Sequence, residues 1–109
     1  INLKYGQFIG DTINTFLVSN RVDFIASHGH TIFHQPQNKY SLQIGDGETI
    51  ANITGIPTIN DFRSLDVSLN GQGAPLVPIG DLHLFPNYKY CINLGGFANI
   101  SIKEKNTII

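Results

Sequence analysis

Asp61, Arg63 and Asp66 follow directly on a short run, Thr58-Ile59-Asn60, and lead into Gly71-Gln72-Gly73-Ala74-Pro75-Leu76-Val77-Pro78. A carboxylate at the end of a strand can accept a proton from water or from a hydroxyl, and ligands in open α/β sheets gather at the carboxyl ends of strands. Asp61 is therefore the first candidate base. Aspartate also closes Asx turns on backbone amides, so Asp61 has a purely structural alternative in which it pairs with Arg63 or an amide. Arg63 could instead grip a substrate anion bidentately, or simply face solvent. Asp66 reads as an exposed turn carboxylate. Gly71 and Gly73 can bring backbone N–H groups close to an oxyanion, especially if a helix starts at Ala74 or Pro75. Gly95-Gly96 between two strands either cradles a phosphate or makes a tight hairpin, with Asn99 beyond it as a second polar contact.

His28, His30 and His34 invite comparison with a metal site, because alternate residues of a strand share a face. No acidic ligand follows at a supporting position in that segment, so structural hydrogen bonding or the lining of a polar cleft is the simpler use, and no metal ligand is assigned. Ser27-His28 lacks the flanking glycines of a nucleophile elbow. Cys91 is the only cysteine, which excludes a disulfide or a paired-cysteine zinc site within the chain, and its place in Tyr90-Cys91-Ile92-Asn93-Leu94 suits a small buried strand residue.

The elements that must position these groups follow from periodicity. Phe8, Ile9, Ile13, Phe16 and Leu17 recur at helical spacing, predicting an amphipathic helix of about four turns that stops near Asn20. Phe24-Ile25-Ala26 suits a strand buried on both faces. Thr31–His34 and Tyr40–Ile44 predict a hairpin around a polar loop. Asp46 can cap a short helix through Ile50 and Ile53, with Gly55 and Pro57 as its stop. Thr58–Asn60 is a strand, and a helix is expected from Pro75 to about Phe85 despite Pro78 and Gly80, with His83 on its surface. Two strands, Tyr90–Leu94 and Asn99–Lys103, flank Gly95-Gly96, and a third begins at Thr107. Helices alternating with strands, plus hairpins, make this an α/β chain with a mixed sheet.

The chain has 109 residues with 7 basic and 8 acidic side chains, a net charge of -1. No basic stripe is present, which argues against nucleic acid and anionic membranes as partners. No apolar run approaches the ~20 residues of a membrane span, and a cytoplasmic protein is expected. The start at Ile1 and the apolar end at Ile108-Ile109 lead to the expectation of a piece of a longer protein.

At the candidate residues the sequence resembles the anhydro-N-acetylmuramic acid kinase family, sugar kinases of the actin, hexokinase and Hsp70-like superfamily. Ser27-His28-Gly29-His30-Thr31-Ile32-Phe33-His34-Gln35-Pro36 is similar to the family's S-H-G-Q-T-V-x-H-Q-P, with His30 standing where glutamine is common. Leu42-Gln43-Ile44-Gly45-Asp46, Thr54-Gly55-Ile56-Pro57, Asp61-Phe62-Arg63, Gly71 to Pro78 and Asn93-Leu94-Gly95-Gly96-Phe97-Ala98-Asn99-Ile100 follow in the family order. The resemblance implies part of a two-lobed, ribonuclease H-like (actin-like ATPase) fold with flanking helices. Residues 1–86 would belong to the first lobe, and residues 87–109 would open the second with a phosphate-loop hairpin. It further implies an ATP-dependent enzyme, using Mg2+ with its ATP, that opens 1,6-anhydro-N-acetylmuramic acid and phosphorylates it in cell-wall recycling. Asp61 would be the general base; Ser27, His28, Gln35, Arg63, Gly71 and Gly73 would border the sugar; and Gly95, Gly96 and Asn99 would face the phosphates. The first phosphate loop of the family, a Gly-Thr-Ser-x-Asp-Gly run, and its adenosine-binding region have no counterpart here, so the 109 residues alone are expected neither to bind ATP tightly nor to turn over. The last strands would leave an unpaired edge, a site for pairing with another chain, a homodimer being one such arrangement. A non-catalytic carbohydrate-binding or regulatory piece of the same fold is the alternative, and a metal-dependent hydrolase built on the three histidines is the third reading.

Overall fold

The computed structural model describes residues 1–95, 98–104 and 107–108. It divides into two compact units, Ile1–Gly73 and Ala74–Ile109. The expected lobe boundary at residue 86 falls inside the second.

The first unit opens with helix α1, Asn2–Leu17, as its periodicity predicts. Ile9, Ile13 and Leu17 of the predicted face are half-buried, but its phenylalanines do not pack. Gly6 and Gly10 are buried against helix α2, Gly47–Thr54, while Phe8 and Phe16 are 64% and 83% exposed. A glycine ridge lets two backbones approach more closely than a stripe of large side chains would, and a Cβ on Gly10 would come within 3.0 Å of Ile53. Asn14 Nδ2 donates to the Ile53 carbonyl at 3.1 Å, and Gly45 N–H donates to Asn2 Oδ1 at 2.8 Å, so both ends of α1 are tied to the α2 region.

Strand β1, Ile25–Ser27, pairs in parallel with β4, Thr58–Asn60, in the register Ile25↔Thr58, Ala26↔Ile59 and Ser27↔Asn60. Ile25 is buried but Ala26 is exposed, so β1 is covered on one face and not on both. Between them, β2 (His30–Gln35) and β3 (Tyr40–Ile44) form the expected antiparallel hairpin, irregular between Thr31 and Phe33 and closed by a 3-10 turn at Pro36–Asn38 with Lys39 left-handed. Helix α3, Ser64–Ser68, falls in the segment read from sequence as an irregular loop. Ile25, Ile50 and Val67 are the buried apolar side chains among the described residues. This is a thin core, one residue from each of β1, α2 and α3, and it fixes those elements around the strand ends.

In the second unit, α4 (Val77–Leu84) carries Pro78 in its first turn, where the missing N–H has no helical partner to lose. Strands β5 (Tyr90–Leu94), β6 (Ala98–Glu104) and β7 (Thr107–Ile108) form an antiparallel sheet in that order. Asp81 of α4 is buried and accepts a 2.7 Å hydrogen bond from Ser101 Oγ, itself 1% exposed. The chain is α/β throughout. Its parallel and antiparallel pairings lie in three separate small sheets among the described residues, where a mixed sheet was expected.

The start of α2 is set locally. Asp46 Oδ2 accepts from Thr49 Oγ1 at 2.6 Å and from Thr49 N–H at 2.8 Å, and Gly55, left-handed at φ 70°, ends the helix. The Thr49 hydroxyl first, then its amide, hold the Asp46 carboxyl below its ordinary 3.8 against a smaller opposing effect of burial. A carboxyl lowered on folding stabilises the protein above the unfolded value and loses that contribution as pH falls through the folded one. Asp46→Ala is therefore expected to cost about 0.5–2 kcal/mol near neutral pH, measured by urea unfolding. The gap between variant and parent should narrow as pH drops below 3.8 toward the folded value.

Candidate active site

Parallel pairing brings the carboxyl ends of β1 and β4 side by side, so Ser27-His28 and Asn60-Asp61 leave the sheet at one edge. Asp61 is exposed and sits in the left-handed region at φ 57°. Such a conformation costs a residue other than glycine roughly 1–3 kcal/mol unless the surroundings hold it, and aspartate bears it best among charged residues. Asp61 Oδ1 accepts from Ser64 N–H at 3.3 Å, so the turn-forming use of this carboxylate is real and its side chain is held at the entry to α3.

Arg63 does not turn back to Asp61. Its Nε donates to His28 Nε2 at 2.9 Å and its Nη1 donates to the Gly73 carbonyl. His28 Nδ1 lies 3.1 Å from the Gly29 carbonyl. An imidazole that accepts at Nε2 from a guanidinium and faces a carbonyl at Nδ1 fits the neutral form with its proton on Nδ1.

Asp66, read from sequence as a bystander, organises the glycine loop. Its carboxylate Oδ2 accepts from Gly73 N–H at 2.7 Å, and its backbone carbonyl accepts from Gly71 N–H at 2.7 Å. The two amides that the sequence offered to an oxyanion are thus already engaged within the loop. A Cβ on Gly71 would overlap the Asp66 carboxylate, so any side chain there requires that carboxylate to move. The signal was present in the sequence as an aspartate five residues ahead of a G-x-G, but only the tertiary contact shows which amides it serves.

The hairpin turn and the glycine loop border a groove of about 330 Å³ lined by Pro36, Gln37, Asn70, Gly71 and Gln72. Three carboxamides and a backbone loop give it neutral donors and acceptors, a lining suited to hydroxyls and amides. Gln35 stands beside it, its Oε1 accepting from Asn38 Nδ2 at 3.0 Å. The histidines do not act together: His28 is held by Arg63, His34 Nδ1 meets Ser41 Oγ at 3.1 Å, and His30 packs edge-on to Tyr5. Among the described residues no three His, Cys, Asp or Glu side chains converge as a metal site.

In the second unit Gly95 follows β5 and Asn93 pairs with Asn99 across the hairpin, while Gly96 lies outside the described residues. Asn99 Oδ1 is buried without a hydrogen-bond partner among them. The Asn99 carboxamide also carries two N–H donors on Nδ2, which suit a phosphate oxygen.

A profile of the family described as anhydro-N-acetylmuramic acid kinase matches residues 1–108. The chain belongs to that family. It is 43% identical over 104 residues to the anhydro-N-acetylmuramic acid kinase of Acinetobacter baylyi, covering 88% of this chain and 28% of that protein. Identity to the protein of the same name from Crocosphaera subtropica is 49% over 96 residues, 78% of this chain and 25% of the relative. For Shewanella pealeana it is 44% over 116 residues, 97% and 31%. The chain thus spans between a quarter and a third of the length of these curated relatives. The family segments seen in the sequence occupy the geometry just described: one runs from the end of β1 through β2 to the hairpin turn, another from β3 to the cap of α2, and the next from the end of β4 into α3 and the glycine loop.

Gly71→Ala is expected to drive the Asp66 carboxylate off the Gly73 amide and leave a buried donor without its partner, lowering stability by about 1–3 kcal/mol. A shift of the urea midpoint checks this, and an unchanged midpoint would show that the loop can rearrange around the added methyl.

Proposed function

We propose that this chain supplies the sugar-cleft and proton-accepting portion of an ATP-dependent kinase acting on 1,6-anhydro-N-acetylmuramic acid. The observation that carries the reading is the position of Asp61 at the carboxyl end of a parallel strand pair, beside Ser27-His28, in a chain of this family. Asp61 takes a proton from a water molecule as that water bonds to the anomeric carbon. The anomeric carbon's bond to the bridging oxygen breaks, and the freed oxygen takes the γ-phosphoryl group of ATP, giving N-acetylmuramic acid 6-phosphate and ADP. Water is a poor nucleophile, and a placed base contributes about 10²- to 10⁴-fold. Phosphoryl transfer depends mainly on positioning and electrostatics.

Ser27, His28 and Gln35 on one side and Gly71 and Gly73 on the other border the sugar in this reading, with the carboxamide-lined groove between the hairpin turn and the glycine loop as part of its wall. Gly95, Gly96 and Asn99 face the phosphates in this reading, Asn99 through the N–H groups of its carboxamide. Magnesium bound with ATP neutralises phosphate charge, and it usually keeps several waters and takes one or two carboxylates. The described residues form no cage for it. Residues 1–86 go with the first lobe and 87–109 with the second, a second copy can pair on the open sheet edge, and the location is cytoplasmic. No helix among the described residues is long and apolar enough to cross a membrane.

The test replaces the matching segment of the Acinetobacter baylyi relative with this chain and then introduces Asp61→Asn. The chimera should phosphorylate the anhydro sugar with ATP, and the variant should lose about 10²- to 10⁴-fold in kcat with sugar KM nearly kept. Indifference of kcat to Asp61→Asn would instead favour the non-catalytic carbohydrate-binding alternative.

A further inference from the structure

We propose that Arg63 and Asp66 are positioning residues which together clamp three loops around Asp61, and that Arg63 is not a ligand of the sugar. The proposal rests on the reading of Asp61 as the base.

The hydrogen bonds form one continuous line. Asp66 Oδ2 holds Gly73 N–H at 2.7 Å, the Gly73 carbonyl receives Arg63 Nη1, Arg63 Nε reaches His28 Nε2 at 2.9 Å, and His28 Nδ1 faces the Gly29 carbonyl at 3.1 Å. The line joins the glycine loop, the segment after β4 and the turn after β1. Asp61 lies two residues before Arg63, in a left-handed conformation whose side-chain support is a 3.3 Å contact to Ser64 N–H. A base so weakly held needs its loop fixed from outside, and Arg63 fixes it on two sides at once. Nε and Nη1 of the guanidinium are each engaged within the protein, so each of its two bidentate edges, Nε/Nη2 and Nη1/Nη2, already has one nitrogen committed. A lysine, with one nitrogen on a flexible stem, cannot reproduce a planar fork addressing two separated acceptors. Asparagine at position 66 can still accept from Gly73 N–H through its carboxamide oxygen, whereas alanine cannot.

The experiment uses the complete chimeric kinase and compares Arg63→Ala, Arg63→Lys, Asp66→Ala, Asp66→Asn and the Arg63→Ala/Asp66→Ala pair. Loss of the clamp displaces Asp61 relative to its water, for which a loss of up to about 10²-fold in kcat is expected, with sugar KM nearly unchanged. Arg63→Lys should not restore the rate, Asp66→Asn should, and the double variant should be no worse than the poorer single one, as for residues acting through one network. Nitrogen-15 NMR of the imidazoles adds a readout that stability alone does not move: His28 should carry its proton on Nδ1 in the parent and lose that preference in Arg63→Ala. A raised KM with kcat kept in Arg63→Ala would overturn the proposal by making Arg63 a sugar ligand. So would a His28 proton on Nε2 in the parent, or additive losses in the pair. If Arg63→Ala does not fold, the Asp66 variants and the parent's His28 tautomer still decide. An inactive parent chimera would sink the kinase reading alone, and the tautomer measurement would then decide the clamp.

Discussion

The parallel pairing of β1 with β4 is the constraint on which the rest depends. Three backbone positions on each strand set the register, and that register alone places Ser27 beside Asn60. Everything of chemical interest in the first unit leaves the sheet from these two ends. A parallel pair needs a long crossover, and here the hairpin and α2 fill it. The hairpin turn therefore reaches the same edge as the glycine loop, and the groove between them is a product of the connection as much as of the loops themselves.

Held on so thin a core, the strand ends rely on hydrogen bonds for their finer arrangement. Ile25, Ile50 and Val67 fix the layers, but they do not orient the loops. That task falls to polar groups that reach across sequence: Arg63 to His28 and Gly73, and Asp66 to Gly71 and Gly73. The side-chain bonds of Arg63 and Asp66 among these are partly buried and charge-assisted, hence stronger than neutral ones, and their directionality orients the loops. Many large apolar side chains, among them Phe8, Phe16, Ile59 and Leu94, remain exposed. The chain spans a quarter to a third of the length of these relatives, and exposed apolar surface of this extent marks interaction surface.

Several elements were legible residue by residue. The cap at Asp46, the stop at Gly55, the hairpin around Pro36 and the strand Thr58–Asn60 each follow from dihedral preferences or hydrogen bonds that close within a few residues. Helix α3 was not legible, because Ser64–Ser68 is too short for a periodic signal and lies among turn-forming residues. The packed face of α1 was legible in Ile9, Ile13 and Leu17, which are half-buried, but misread in its phenylalanines for a different reason. Hydrophobicity favours the phenylalanines, yet close helix approach favours Gly6 and Gly10, and the partner helix is invisible in the local pattern.

What the sequence determined by itself was therefore local form and kinship: where helices begin and end, which residue types stand at the strand ends, and the ordered segments that mark the family. Only the tertiary structure decided the partners of those residues. Arg63 and His28 are 35 positions apart and Arg63 and Gly73 are 10 apart, so no local preference could join them. They meet because two strands pair in one register and bring distant loops to a common edge. The physical difference is range. Capping and turn chemistry are complete within a few residues, whereas the environment of Asp61 is assembled from segments that become neighbours only when the sheet forms.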